Sequence, residues 1–416
     1  MKSIKIFVSA YACEPDRGSE PGVGWHWVLE MSKYYELWVL TRANNREKIE
    51  GWISKNNEVF GNIHFIYFDL PLWIKSIKKS AVGLWIYYFL WQWYSNKVVK
   101  KTMNDHQIKV FHHITFGNAI FPISRYGQKQ YFIWGPVGGA ATLPLDFIQD
   151  FPFWSRVKEY LQYLLRYSVK LNIGFIYRCK SAKLILCKTD EIIQTIPKRY
   201  REKCVQFTDV AIDIDPNASP PILKEEGIIT FIAVGTLEAW RNFDIMIKAF
   251  VNAHKIQNNI QLKIIGDGSD RSRLENLTER LNAKDYIIFK GGMCMAEYKR
   301  EMESADAVIN PSYREGSVTV SFDAVKFGKP LVCFETGGFT HHFNDDFCFI
   351  LKNANNKGLA IRKLSEAIKE VSDWKIIQNM GENAFNAQVN MSWGNKGRDI
   401  HILFDTYFTK DGLFLL

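Results

Sequence analysis

Along the first half of the chain, apolar positions fall into short runs separated by longer amphipathic stretches. Ile4–Ala10, Leu37–Thr41 and Ile63–Phe68 have strand length, and Gly22–Lys33 carries helical spacing between the first two. Further strands are expected at Val110–His113, Tyr131–Trp134 and Lys183–Cys187, with a helix opening in Lys188–Ile196. Strands that alternate with helices predict a parallel sheet, because parallel neighbours need a crossover between them.

The pattern breaks at residues 209–226 (DVAIDIDPNASPPILKEE), where prolines and small and acidic residues read as a linker. The alternation then restarts. Strands are expected at 228–234, 261–265, 286–289, 307–309 and 331–334, and helices at 244–255, 270–281, 295–304, 319–327 and 356–372. This gives a first α/β domain over 1–208, a linker over 209–226 and a second doubly wound domain over 227–390. An amphipathic end over 391–416 is expected to fold back on the first domain.

A length of 416 residues supports two such cores, and 47% hydrophobic with 23% charged residues excludes a disordered or fibrous chain. The N-terminal apolar run reads as a first strand rather than a signal peptide. Seven cysteines without CxxC or Cys/His spacing fit a reducing compartment and suggest neither a disulfide framework nor a zinc site. A cytoplasmic location is expected. The net charge of +9 directs the surface toward anionic partners: nucleic acid, phosphorylated substrates or acidic lipid.

The distribution of charge narrows that choice. The apolar stretch Ala81–Tyr94 (AVGLWIYYFLWQWY) is shorter than the roughly 18–20 residues that cross a bilayer. Lys75, Lys78 and Lys79 precede it, Lys97, Lys100 and Lys101 follow it, and Trp85, Trp91 and Trp93 lie within it. Phe151–Arg178 repeats the theme with Trp154, Tyr160, Tyr163, Tyr167 and further basic residues. Two readings stand: contact with an anionic membrane surface, or aromatic packing inside an α/β core. Bases interleaved with aromatics favour the inner-membrane surface over nucleic acid, which is not expected as a partner.

Candidate chemistry concentrates in NPSYREGSVTVSFDAVKFGKPLV, starting at Asn310. Glu315 and Gly316 form a tight loop before a helix that ends at Gly328, with Pro330 beyond it. The amides of Gly316, Ser317 and Val318 would direct the positive helix end at an anion such as a diphosphate, with Glu315 near sugar hydroxyls. Asp323, about two turns on, can line the same side and meet a ribose. The plainer alternative makes Glu315 a loop cap and Asp323 a solvated helix residue.

This segment resembles the E-x7-E region of glycosyltransferase family 4, retaining enzymes of the GT-B fold, with an aspartate in place of the usual second glutamate. That family's fold has two Rossmann-like domains facing across a cleft. Three other places match it in order. VGTLEAWRNFD, from Val234, resembles the stretch in which an arginine after Gly235 and a lysine five residues later neutralise the donor diphosphate. Thr236 stands at the first basic position and Arg241 at the second, which implies the cationic role for Arg241. IIGDGS, with Gly266 and Gly268, and ADAVINPS, from Ala305, place strand ends beside base and ribose.

In the first domain YACEPDRGSEPGVGW, from Tyr11, resembles the glycine-rich acceptor loop of a polysaccharide-building subset of that family. Gly18, Ser19, Glu20, Gly22 and Gly24 are its candidate acceptor and phosphate-loop residues, with glycines that permit close backbone approach. A dinucleotide-binding loop is the competing reading, although the glycines do not fall as G-x-G-x-x-G. The resemblance also implies that His113, at a strand end, contacts the transferred sugar. His112 is expected to face the other side. Asp213 and Asp215 spell D-x-D but fall in the linker and read as structural.

The resemblance implies metal-independent transfer, without cofactor, of a hexose-type sugar from a nucleotide-diphosphate sugar to a lipid-linked saccharide, with retention. The setting would be bacterial surface polysaccharide such as O-antigen or lipopolysaccharide, on the cytoplasmic face of the inner membrane. A nucleotide-sugar epimerase and a noncatalytic membrane-associated subunit of the same fold are the alternatives.

Overall fold

The computed structural model describes residues 4–56, 61–79, 81–124, 130–139, 141–215, 220, 226–314, 319–335 and 342–413. The chain divides into two compact units. Unit 1 comprises Met1–Ala140, Arg166–Asp209 and Trp393–Leu416, and unit 2 comprises Ala141–Leu165 and Val210–Ser392.

Unit 1 is built on a seven-stranded sheet: β1 (Lys5–Ser9), β2 (Glu36–Arg42), β3 (Ile63–Phe68), β4 (Val110–His113), β5 (Tyr131–Val137), β6 (Leu184–Cys187) and β7 (Cys204–Gln206). The order is β3-β2-β1-β4-β5-β6-β7 and the paired strands are parallel, with Phe7 between Trp38 and Phe111 in register. The order reverses beside β1, the doubly wound arrangement in which sites form at the strands' carboxyl ends. Central strands are covered on both faces, which is why Ile6, Phe7 and Val8 form an unbroken apolar run.

The helix Trp393–Lys410 belongs to this unit and packs on the helix Ser19–Ser32. A Cβ at Gly397 would lie 2.6 Å from the Glu30 carboxylate, so the two helices approach closely there. The Lys396 ammonium donates to the Thr208 carbonyl at 2.9 Å, which fastens the helix start to the end of unit 1.

Unit 2 carries a six-stranded parallel sheet in the order β10-β9-β8-β11-β12-β13. Its strands are β8 (Ile229–Val234), β9 (Ile260–Ile265), β10 (Ile287–Gly291), β11 (Ala307–Asn310), β12 (Leu331–Phe334) and β13 (Cys348–Leu351). Phe231, Phe250, Leu262, Ile309 and Leu364 share its core.

The segment Ala141–Leu165 lies in unit 2, although the sequence reading ran the first domain through residue 208. Two side chains account for the difference. Phe147 is fully buried in the unit 2 core against Tyr313, and the Asp146 carboxylate accepts the Lys357 amide at 2.7 Å, where the helix Lys357–Val371 begins.

The Ala81–Tyr94 stretch is one helix with a packed face and an exposed aromatic face. Tyr87, Tyr88 and Trp91 are buried, with the Trp91 indole donating to the Phe68 carbonyl at 3.0 Å, while Trp85, Phe89 and Trp93 are at least half exposed. Among the described residues no helix is long and apolar enough to cross a membrane.

Candidate functional site

The carboxyl ends of β8, β9 and β10 are stitched together by backbone hydrogen bonds. Gly235 N donates to Ile265 O at 3.0 Å, Leu237 N to Asp267 O at 2.9 Å, and Gly266 N to Gly291 O at 2.9 Å. Such proximity leaves no room for side chains at two positions. A Cβ on Gly266, whose φ is +132°, would lie 1.9 Å from Gly235 O, and one on Gly268 would lie 2.4 Å from Leu237 O. The G-x-G pair, weak as a sequence signal, is thus fixed by a neighbouring loop.

Gly266→Ala is expected to destabilise the protein by about 1–3 kcal/mol from backbone strain alone, with the clash adding to that. Gly51→Ala, in an exposed helix with nothing within 4 Å, serves as the neutral or slightly stabilising control in the same denaturant titration.

The β8 loop ends in a short helical turn, Ala239–Arg241, that stops because Asn242 adopts the left-handed region at φ 60°. Arg241 Nε donates to Thr236 Oγ1 at 3.1 Å. The hydroxyl at the position where the resemblance expected a second cation therefore orients the one that is present. The Arg241 guanidinium also lies 4.4 Å from the centre of the Trp240 ring, and that of Arg314 lies 4.6 Å from the same ring.

Arg314 leads out of β11 and is gripped by Glu159 in a fork, at 2.5 Å from Nη1 and 3.3 Å from Nη2. The arginine side chain is 10% exposed and the glutamate 5%, so the pair is shielded from water. Ahead of it, Ser312 N donates to Asn310 Oδ1 at 3.1 Å, and Asn310 Nδ2 donates to Ser321 Oγ at 3.1 Å. These bonds fix both flanks of the loop. Glu315, Gly316, Ser317 and Val318 themselves lie outside the described residues.

Asp323, on the helix Thr319–Lys326, accepts a hydrogen bond from the Tyr298 hydroxyl at 2.7 Å. It is therefore a bonded, half-buried carboxylate rather than a solvated helix residue. Burial raises its pKa above the usual carboxylate value, against the opposing pull of Tyr298 and Lys326. Trp240, Arg314, Glu159 and Tyr298 were not singled out from the sequence. Only Arg314, adjacent to Glu315 in the motif, carried a signal that could have found it.

In unit 1 the loops after β1, β4 and β5 close over the end of β4. Ala12 N donates to Thr115 Oγ1 at 3.1 Å and Gly138 N to Gly117 O at 2.7 Å. A Cβ on Gly22 would lie 1.9 Å from Arg17 O, and one on Gly24 would lie 2.1 Å from Ala12 O. Gly18 has open space around it, and Ser19 starts the helix in the left-handed region at φ 59°. The Glu20 carboxylate accepts the Phe116 amide at 2.6 Å, where Phe116 has φ 56°. Glu20 thus braces the β4 loop.

His113 was placed from sequence at an open strand end, and here the structure departs from that expectation. It is fully buried, because those loops cover it, and its Nδ1 is 3.2 Å from Ser9 Oγ. Burial pulls its imidazole down to about 3, so it is neutral at pH 7, and its Nε2 has no hydrogen-bond partner among the described residues. His112 is equally buried, with Nε2 2.9 Å from Gly135 O. Asp213 and Asp215 are exposed where the chain leaves unit 1. Among the described residues no three His, Cys, Asp or Glu side chains are grouped to hold a metal.

Two doubly wound, parallel-stranded units define a Rossmann-like, GT-B architecture. Residues 215–387, within unit 2, match the model of the glycosyl transferases group 1 family. Among curated proteins, an uncharacterized glycosyltransferase of Haemophilus influenzae is 30% identical over 105 residues, 25% of this chain and 29% of the relative. The matches span less than half the length of the first curated relatives. Among solved structures, WaaG, a glycosyltransferase involved in lipopolysaccharide biosynthesis, superposes with a TM-score of 0.55 at 15% identity, over 95% of this chain and 98% of WaaG. Anabaena HepE in complex with UDP and glucose gives 0.55 at 13% identity over 97% and 99%. At such identities the superpositions show the fold alone. The superpositions show the GT-B fold, and the family match likens residues 215–387 of unit 2 to the glycosyl transferases of group 1.

Proposed function

We propose that this chain transfers a hexose-type sugar from a nucleotide-diphosphate sugar to a lipid-linked saccharide, with retention of anomeric configuration. It would do so without a metal, in bacterial surface polysaccharide synthesis at the cytoplasmic face of the inner membrane. The observation that carries this reading is Arg241, held by Thr236 and Trp240 at the carboxyl end of β8 within the family-matched stretch. HepE's bound UDP and glucose support the donor class, and WaaG's part in lipopolysaccharide biosynthesis supports the acceptor setting.

In this mechanism the Arg241 guanidinium and the amides of Gly316, Ser317 and Val318 stabilise charge that develops on the departing diphosphate. Glu315 orients the sugar, and the free side of the Asp323 carboxylate meets the ribose while Tyr298 fixes its angle. Gly235 and Gly266 allow the donor to approach the backbone at the strand ends. The departing phosphate assists deprotonation of the acceptor hydroxyl. The acceptor is read by the loop from Gly18 to Gly24, and buried, neutral His113 supports that loop cluster from beneath through its bond to Ser9.

The anomeric configuration of the product, read by proton NMR, is expected to match the donor, and an inverted product would overturn the retaining assignment. In the same assay Glu315→Ala is expected to reduce kcat by about 10²–10³-fold, as removal of a group aligned to the reacting sugar does. Full transfer by that variant would remove Glu315 from the mechanism.

A further inference from the structure

The helix Phe153–Ser168 inverts the usual arrangement of a surface helix, which turns its apolar face to the core. Phe153, Trp154, Leu161, Leu164 and Leu165 are between 54% and 78% exposed. Residues 154, 161, 164 and 165 follow i, i+7, i+10 and i+11 spacing and share one outward face.

The charges on this helix are sorted as well. Arg156, Lys158 and Arg166 are basic, and Glu159 is its one acid. Glu159 is 4% exposed and turned inward to Arg314. The exposed charge on the helix is therefore wholly cationic, and the one carboxylate that would repel an anionic surface is consumed inside unit 2. A folded protein bears exposed apolar patches at a cost in solubility, so such a face marks a docking surface. A protein partner would be expected to present carboxylates within an otherwise shaped interface. A flush leucine and tryptophan stripe with basic shoulders instead matches the boundary between anionic headgroups and acyl chains.

We infer that the Phe153–Ser168 helix is the element that seats this protein on an anionic bilayer, with Trp154, Leu161, Leu164 and Leu165 entering the acyl boundary and Arg156 and Lys158 at the headgroups. The inference gives the membrane placement of the proposed function a definite element. It is tested without reference to catalysis, so that the two can fail separately. The Glu159 fork makes the docking helix and the Trp240–Arg241 corner parts of one packed unit.

The test is co-sedimentation of the full chain with vesicles of phosphatidylcholine alone or with phosphatidylglycerol, at low and high salt. Binding is expected only to the anionic vesicles and to weaken with salt. Leu161→Ser with Leu164→Ser is expected to lower the partition constant by about tenfold or more, with an unchanged unfolding transition because both side chains are already in water. Ile256→Ser, 72% exposed elsewhere in unit 2, is the control expected to bind as wild type. Equal binding to neutral vesicles or undiminished binding by the leucine variant would overturn the inference. So would loss of binding only on Trp85→Ser with Phe89→Ser, or self-association through this face in sedimentation velocity without vesicle binding.

Discussion

Arg241→Ala is expected to lower kcat/KM for glycosyl transfer by about 10²–10³-fold, roughly 2.7–4 kcal/mol of transition-state stabilisation. The loss should lie chiefly in kcat, because the diphosphate, already doubly anionic in the bound donor, gains a further negative charge as the glycosidic bond breaks. Arg241→Lys is expected to recover only part of it. A lysine supplies the charge but neither the Nε donor that meets Thr236 nor the planar face that lies against Trp240. Steady-state kinetics over a range of donor concentrations separate the outcomes. A variant with a raised KM and an unchanged kcat would reduce Arg241 to uniform donor binding.

Glu159→Ala is expected to cost about 3–5 kcal/mol of stability, because it leaves the Arg314 guanidinium buried without a counter-charge. The paired change Glu159→Leu with Arg314→Met is expected to restore most of it, since apolar residues of similar volume often replace a buried ion pair without loss. Denaturant unfolding of wild type, Glu159→Leu, Arg314→Met and the double variant closes a double-mutant cycle that measures the coupling directly. Stability of the Glu159→Ala variant within about 0.5 kcal/mol of wild type would mean that the fork carries little weight. The restored double variant separates stability from activity. If Arg314 also steadies Trp240 and Arg241, it should fold well and still transfer slowly.

The alternating strands and helices were legible because parallel strands buried on both faces leave continuous apolar runs, and amphipathic crossovers leave helical spacing. β8 to β12 emerged within a few residues of their true bounds for this reason. β7 and β13 did not. Cys204–Gln206 is three residues long and Cys348–Leu351 is four, and both close a sheet edge where burial no longer imposes a strong pattern.

The segment Ala141–Leu165 was misassigned along the chain for a different reason. Its place in unit 2 is decided by Phe147 meeting Tyr313 and by Glu159 meeting Arg314, partners more than 150 residues away. No local spacing carries that information. The same holds for Gly266, whose need to be glycine lies in the carbonyl of Gly235. Arg241 was singled out through the resemblance of its stretch to the family's second basic position, whereas Trp240, whose ring lies against both Arg241 and Arg314, looked like any packing aromatic. His113 was legible as a strand end, but its burial depends on three loops whose bonds to one another the sequence does not display.

The most direct measurement incubates the purified chain with UDP-, GDP-, dTDP- and ADP-sugars and a lipid-diphosphate saccharide, and follows released nucleotide together with product mass. Release of one nucleotide in step with an acceptor heavier by one hexose unit is the predicted result. Donor binding without nucleotide release across a varied acceptor panel would contradict the proposed transfer and leave a noncatalytic protein of the same fold.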